Sequence, residues 1–269
     1  FNLDAAIIFS DILMLPYGLD QKVEFKKNIG PLLGELNLHN ISEFNEKYFV
    51  EKMKPVYELV NRVRNHELTK NKSTIGFVGA PWTLLVYMIN QKSPKSGLRK
   101  DFFKNHKTIN KTLLIIEKFL KVHIKHQIES GAQVIQIFDS WAGLLEEKDF
   151  SNYIYSPTTN LVEYIKSFNI PVICFPRGIK KYKEYCEVIK PSAISIDYQV
   201  DPKEILRDIK IPVQGGMDPK ILLTNQENLK KEAKKYLDIF KDHPYIFNLG
   251  HGILPETDPK MMDYLVKIV

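Results

Sequence analysis

The sequence has 269 residues, of which 44% are hydrophobic and 26% charged, the balance of a soluble globular protein with a sizeable core. No apolar run approaches the roughly 20 residues of a membrane-spanning helix. The net charge of +6 comes almost wholly from lysines scattered among Ile and Asn, with arginine only as Arg62, Arg64, Arg99, Arg177 and Arg207. This is a solvated lysine surface rather than the basic stripe of a nucleic-acid-binding protein. Cys174 and Cys186 form no CxxC pair, no signal peptide is visible, and reduced thiols in a cytoplasm are the simplest reading.

Short apolar runs alternate with longer amphipathic ones. Ala5–Ile12 (AAIIFSDI) reads as a strand. Met14–Leu36, with Pro16, Gly18, Gly30, Pro31 and Gly34, reads as an irregular, hairpin-like excursion. Ile41–Glu67 is a long helical pattern in which Ser42, followed by Asn45 and Glu46, offers a cap. Then follow strand Thr74–Ala80, helices Trp82–Asn90 and Lys107–Glu129, strand Gln133–Phe138, helix Glu147–Phe168, strand Val172–Phe175, helix Lys180–Ile189 and strand Ala193–Ile196. Helix Pro202–Ile209, strand Val213–Gly215, helix Glu227–Asp242, strand Tyr245–Leu249 and helix Pro259–Val269 complete the chain.

Near-continuous apolar strands separated by helices predict a parallel sheet covered on both faces. Seven such strands predict an α/β (β/α)8 TIM-type barrel missing its first βα unit, in one domain over residues 1–269. The abrupt start at Phe1 is read the same way, as an N-terminal piece lacking from the sequence, and the end at Val269 inside a helical pattern as the loss of a few more residues. A doubly wound open sheet is the alternative. Neither the GxGxxG that would favour it nor a Walker-type GxxxxGK[ST] is present.

In a barrel, reactive groups sit where strands end. The strand ends read Ser10-Asp11, Gly79-Ala80-Pro81-Trp82, Asp139-Ser140-Trp141, Pro176-Arg177-Gly178, Asp197, Gly215-Gly216-Met217-Asp218 and Gly250-His251-Gly252, and are expected to converge on one mouth. Asp11 suits accepting N–H bonds and facing positive charge, or simply capping a turn. His251 lies between glycines that permit close ligand approach, or is satisfied by a backbone carbonyl. Tyr87 fits a core or stacking role as well as a site role. Ser140 lacks a neighbouring His or a GxSxG context and reads as a hydrogen-bond donor, not a nucleophile. Arg177 suits a carboxylate or a strand-end salt bridge. His123 and His126 share a helix face, but no third ligand follows, and no metal site is expected.

Taken together, FSDIL (Phe9–Leu13), GFVGAPWTL (Gly76–Leu84) with Tyr87 beyond it, GAQVIQIFDSWAG (Gly131–Gly143), FPRG (Phe175–Gly178), QGGMDP (Gln214–Pro219) and NLGHGILPETDP (Asn248–Pro259) resemble the uroporphyrinogen decarboxylase family, in order and spacing, over essentially the whole chain. The resemblance implies a cytoplasmic, homodimeric (β/α) barrel with a deep cleft at the strand C-termini. It implies removal of carbon dioxide from the four acetate arms of uroporphyrinogen III, giving coproporphyrinogen III, with no metal or organic cofactor. By FSDIL, Asp11 would be the catalytic carboxylate beneath the pyrrole nitrogens. By APWTLLVYM, FDSWAG and LGHG, Tyr87, Ser140 and His251 would contact substrate. The family's arginine-rich R-Q-A-G-R segment ahead of FSDIL is not in this sequence, and Gly216 stands where the family often has Asn. Two alternatives share the fold: a zinc-dependent corrinoid-protein methyltransferase, whose H-x-C pattern is not seen around Cys174, and a non-catalytic porphyrinogen-binding barrel.

Overall fold

A computed structural model describes residues 1–27 and 29–269. The chain runs β1 (Ala5–Ile7), α1 (Met14–Gly18), β2 (Val23–Lys26), β3 (Gly30–Leu33), α2 (Leu38–Ser42), α3 (Glu46–Asn65), β4 (Ser73–Gly79), α4 (Pro81–Asn90), α5 (His106–Glu129) and β5 (Val134–Asp139). It continues through α6 (Ser156–Lys166), β6 (Val172–Pro176), α7 (Tyr182–Ile189), β7 (Ala193–Ile196), α8 (Pro202–Asp208), β8 (Val213–Gly215), α9 (Gln226–Phe240), β9 (Tyr245–Ile246) and α10 (Pro259–Ile268).

Seven strands form one sheet in the order β1-β4-β5-β6-β7-β8-β9, and every pairing is parallel. The order never reverses, which excludes the doubly wound alternative, where the sheet turns back at a switch point. It is the strand sequence of a (β/α) barrel. Among the described residues β1 and β9 do not pair with each other, so the sheet is open between them. The excursion after β1 is helix α1 and the antiparallel hairpin β2–β3.

Strand side chains alternate between faces, and both faces are largely apolar, with Gln136, Ser195 and Gln214 as buried polar residues in step with the inner one. One face joins the helices in a continuous core that includes Val78, Ile135, Ile137, Val172, Cys174, Ile194, Ile196 and Val213. The other carries an aromatic row across four neighbouring segments. Phe9 meets Phe77 at 5.3 Å between ring centroids, Phe77 meets Phe138 at 4.7 Å, and Phe138 meets Phe175 at 6.0 Å. Phe9, at the sheet's open edge, is 70% exposed.

Strand β1 is shorter than its apolar run because the chain leaves the ladder after Ile8, the last residue to donate to Ile75 O (2.9 Å). The backbone of Phe77 is satisfied instead by a helix side chain: Gln127 Oε1 accepts from Phe77 N at 2.9 Å, and Gln127 Nε2 donates to Phe77 O at 3.3 Å. Gly76 makes this possible, since a Cβ there would lie 2.8 Å from Gln127 Oε1 and 2.7 Å from Ile135 Cδ1. Gly76→Ala is therefore expected to destabilise the protein by about 2 kcal/mol, read as a lower urea midpoint at unchanged slope.

Two helices depart from their predicted form. The Ile41–Glu67 pattern is split into α2 and α3, with Asn45 Oδ1 accepting from Tyr48 N at 3.1 Å as the cap, while the Ser42 hydroxyl turns back to His39 O. The Glu147–Phe168 pattern begins as a 3-10 turn (Glu147–Asp149) and a π turn (Ser151–Tyr155) before α6. Pro157 has no N–H to give to an i−4 carbonyl, and a wider turn just before it absorbs that loss.

Candidate active site

Asp11 closes the turn that follows β1. Its φ of 67° lies in the left-handed region, where Asp is among the few side chains tolerated because it bonds its own backbone. Here Oδ1 accepts from Leu13 N at 2.7 Å. Partial burial raises its carboxyl above the usual range, and the Leu13 N–H works against that rise.

Tyr87 lies on α4, a helix buried on nearly every side, and is itself 8% exposed. Burial holds its hydroxyl above the ordinary phenol range. The Asp11 charge pushes the same way, while Trp141, Ser93 and Arg177 oppose it. Tyr87 is thus a neutral donor within the field of Asp11. Its ring meets that of Trp141 edge-on at 6.2 Å. Trp141 Nε1 is buried with no hydrogen-bond partner among the described residues.

Ser140 follows β5 in step with Gln136 and Phe138, on the same face as the aromatic row, and is half-buried. Arg177 follows β6 in step with Ile173 and Phe175 on that face and is also half-buried. The two strand ends are stapled together: Arg177 N donates to Asp139 O at 3.1 Å and Gly143 N donates to Arg177 O at 3.0 Å. Gly143 is required for the second bond, since a Cβ there would stand 2.6 Å from Gly178 O.

His251 sits after β9 and is exposed. Burial of part of its ring, then the Arg177 charge, lower its pKa, while the Gly252 backbone and Asp197 oppose that shift. Its imidazole is therefore neutral at neutral pH. All strands of the seven-stranded sheet run parallel, so Asp11, Arg177 and His251 lie at the same end of the sheet, where the Asp11 and Arg177 charges act on Tyr87 and the Arg177 charge acts on His251; this end is the mouth.

Two strand-end carboxylates are committed to protein donors. Asp139 is one residue out of step with Ser140 and turns to the helix side. There it is 1% exposed and its Oδ1 accepts from Thr83 Oγ1 at 2.7 Å. Asp197 spends both oxygens on loop backbone, accepting from Gly178 N and Gln199 N, each at 2.8 Å. The sequence pattern missed this division, though the strand period of two contains it for Asp139. It also missed Trp141 Nε1, for which no sequence signal exists.

His123 and His126 have separate surroundings. His123 is buried, its Nδ1 lies 3.2 Å from the Tyr57 hydroxyl, and burial lowers its pKa to about 3. Cys174 and Cys186 are both held as thiols by burial, at about 12. Among the described residues no three His, Cys, Asp or Glu side chains cluster as ligands, and no helix is long and apolar enough to cross a membrane. A hollow of about 790 Å³ between α7 and α8 contains none of the candidate residues.

The fold and this mouth define a barrel-type α/β protein with an acid, a phenol, a guanidinium and an imidazole at the C-terminal ends of its strands. The chain belongs to the uroporphyrinogen decarboxylase (URO-D) family, whose model matches residues 1–269. A uroporphyrinogen decarboxylase of Rickettsia bellii is 42% identical over the whole chain and 81% of its own length. One of Rickettsia felis is 39% identical over the whole chain and 79% of its own length. Among solved structures, a methyltransferase from Methanosarcina mazei shares the fold with a TM-score of 0.80 over 99% of this chain and 80% of its own, at 17% identity.

Proposed function

We propose that this protein decarboxylates the four acetate arms of uroporphyrinogen III to methyls, giving coproporphyrinogen III, without metal or organic cofactor, as one barrel domain acting in a cytoplasmic homodimer. The observation that carries the reading is an ionisable carboxylate, Asp11, held in a left-handed turn with its charge acting on Tyr87, in a chain of the decarboxylase family.

The chemistry follows from the substrate. Loss of carbon dioxide from an acetate arm leaves an electron pair that needs a sink. Protonating the adjacent pyrrole carbon first makes the ring an iminium-like cation. Carbon dioxide then departs and its bonding electrons form an exocyclic methylene that neutralises the ring; protonation of that methylene carbon gives the methyl, and loss of the proton first added to the ring carbon restores the pyrrole. Asp11 beneath the ring nitrogens accepts their N–H bonds and stabilises the cation. Tyr87 and His251, as neutral donors, and Ser140 position the macrocycle. A zinc methyltransferase reading would need a thiolate ligand, whereas Cys174 points into the helix-side core as a thiol.

Anaerobic incubation of the protein with uroporphyrinogen, without added metal, is expected to release carbon dioxide and accumulate a product retaining four carboxyl groups. Binding without release would favour the porphyrinogen-binding barrel. Activity that requires stoichiometric zinc would favour the methyltransferase.

A further inference from the structure

The arginines differ in one respect. Arg62, Arg99 and Arg207 each face a carboxylate, at 3.7, 3.0 and 3.3 Å, and Arg64 donates to Lys70 O at 2.9 Å. Arg177 has no side-chain partner among the described residues, although the half-buried rim around it holds Asp11 and Asp197. Asp197 is committed to backbone donors, and Asp11 accepts from Leu13 N. The neighbouring strand end carries a second donor without an acceptor, the buried indole N–H of Trp141. Backbone bonds on either side of Trp141, from Arg177 N to Asp139 O and from Gly143 N to Arg177 O, tie the two strand ends together. An unpaired guanidinium and a buried N–H with no acceptor, on strand ends bonded to each other, suit an anion, and the fork of an arginine matches a carboxylate.

A porphyrinogen offers two kinds of carboxylate. The reacting acetate gives up its charge as carbon dioxide leaves. An ion pair to it would stabilise the ground state more than the transition state and slow the reaction. The propionates keep their charge through all four rounds, so a seat for one of them serves the substrate and every intermediate equally. Resting on the function proposed above, we propose that Arg177, with Trp141 Nε1, seats a propionate carboxylate of the macrocycle and not the acetate undergoing reaction.

Arg177→Gln is expected to raise KM about 10- to 100-fold, the worth of a charged hydrogen-bonded contact, with kcat changed less than about 3-fold. The factor should be the same for porphyrinogens bearing four, three, two or one remaining acetates. Binding of coproporphyrinogen, which has propionates and no acetates, should weaken by that factor, followed through the fluorescence of Trp82 and Trp141. Trp141→Phe should weaken it less, and Arg177→Lys, which keeps the charge without the fork, should fall between wild type and Gln. An effect that shrinks as acetates are lost, or unchanged coproporphyrinogen binding in folded Arg177→Gln and Arg177→Lys variants, would overturn the assignment. Wild-type turnover of uroporphyrinogen tests the function itself, separately from all of these.

Discussion

Asp11→Asn is expected to lower kcat about a thousandfold while KM stays within a few-fold. The carboxylate's contribution is electrostatic and arises only when the ring becomes cationic. A unit charge pair at ~4 Å in an environment of effective dielectric near 20 is worth about 4 kcal/mol, which corresponds to roughly a thousandfold in rate. A neutral pyrrole in the ground state receives little of this, so binding is largely spared. Asn suits the test because it shares the left-handed tolerance of Asp and presents the same oxygen to Leu13 N, so the turn at φ 67° survives. The acid limb of the kcat profile supplies a second readout. Burial raises the Asp11 pKa, so its ionised, active form is lost on acidification at a higher pH than for a free aspartate. That limb should be absent from the residual activity of the Asn variant. A variant turning over at the wild-type rate would remove Asp11 from the mechanism.

Much of this arrangement is legible in the sequence, for a physical reason. Strands buried on both faces must be apolar throughout, so β4 to β8 announce themselves as short runs of Val, Ile and Phe, with bounds that differ from the observed ones by a residue or so. Less is legible where tertiary contacts override local pattern. AAIIFSDI continues to look like a strand after Ile8, yet Gln127, fifty residues beyond Phe77, takes over the hydrogen bonding that would have extended β1. Tyr245–Leu249 likewise pairs only as Tyr245–Ile246, with an isolated bridge between Met217 and Leu249. The site shows the same split. Asp11, Tyr87, Ser140 and His251 are proposed from motif, but which strand-end groups face the mouth depends on pleat parity, and that Arg177 is unpaired depends on where every acidic side chain comes to rest.

The residue that parity removes from the mouth carries the second large effect. Asp139→Asn is expected to stabilise the protein progressively as pH rises from about 4 to 7, by an amount on the order of 4 kcal/mol at pH 8. Asp139 is wholly buried, one oxygen accepts from Thr83 Oγ1, and the other has no partner among the described residues. Burial pushes its carboxyl up to about 7, and the Thr83 bonds offset only part of that rise. The folded protein therefore holds a proton between the ordinary aspartate range and about pH 7 that the unfolded chain has released. Stability from this group is complete below the unfolded value, declines as pH rises through that window, and is level above it. Asn keeps the acceptor for Thr83 and has nothing to ionise, so wild type and variant should be nearly equal near pH 4 and diverge toward pH 8. Thr83 is the control. Its oxygen also accepts from Trp141 N at 3.1 Å, and Trp82 Nε1 donates to Trp141 O at 2.9 Å, so Thr83→Val strips the carboxyl of its one donor and frees the Trp141 turn. That variant should lose stability at every pH and lose most at high pH. Urea unfolding at pH 4.5, 6 and 8 separates the two. Curves for wild type and Asp139→Asn that run parallel across that range would mean the buried carboxyl does not titrate with folding, and that the Thr83 bond serves geometry alone.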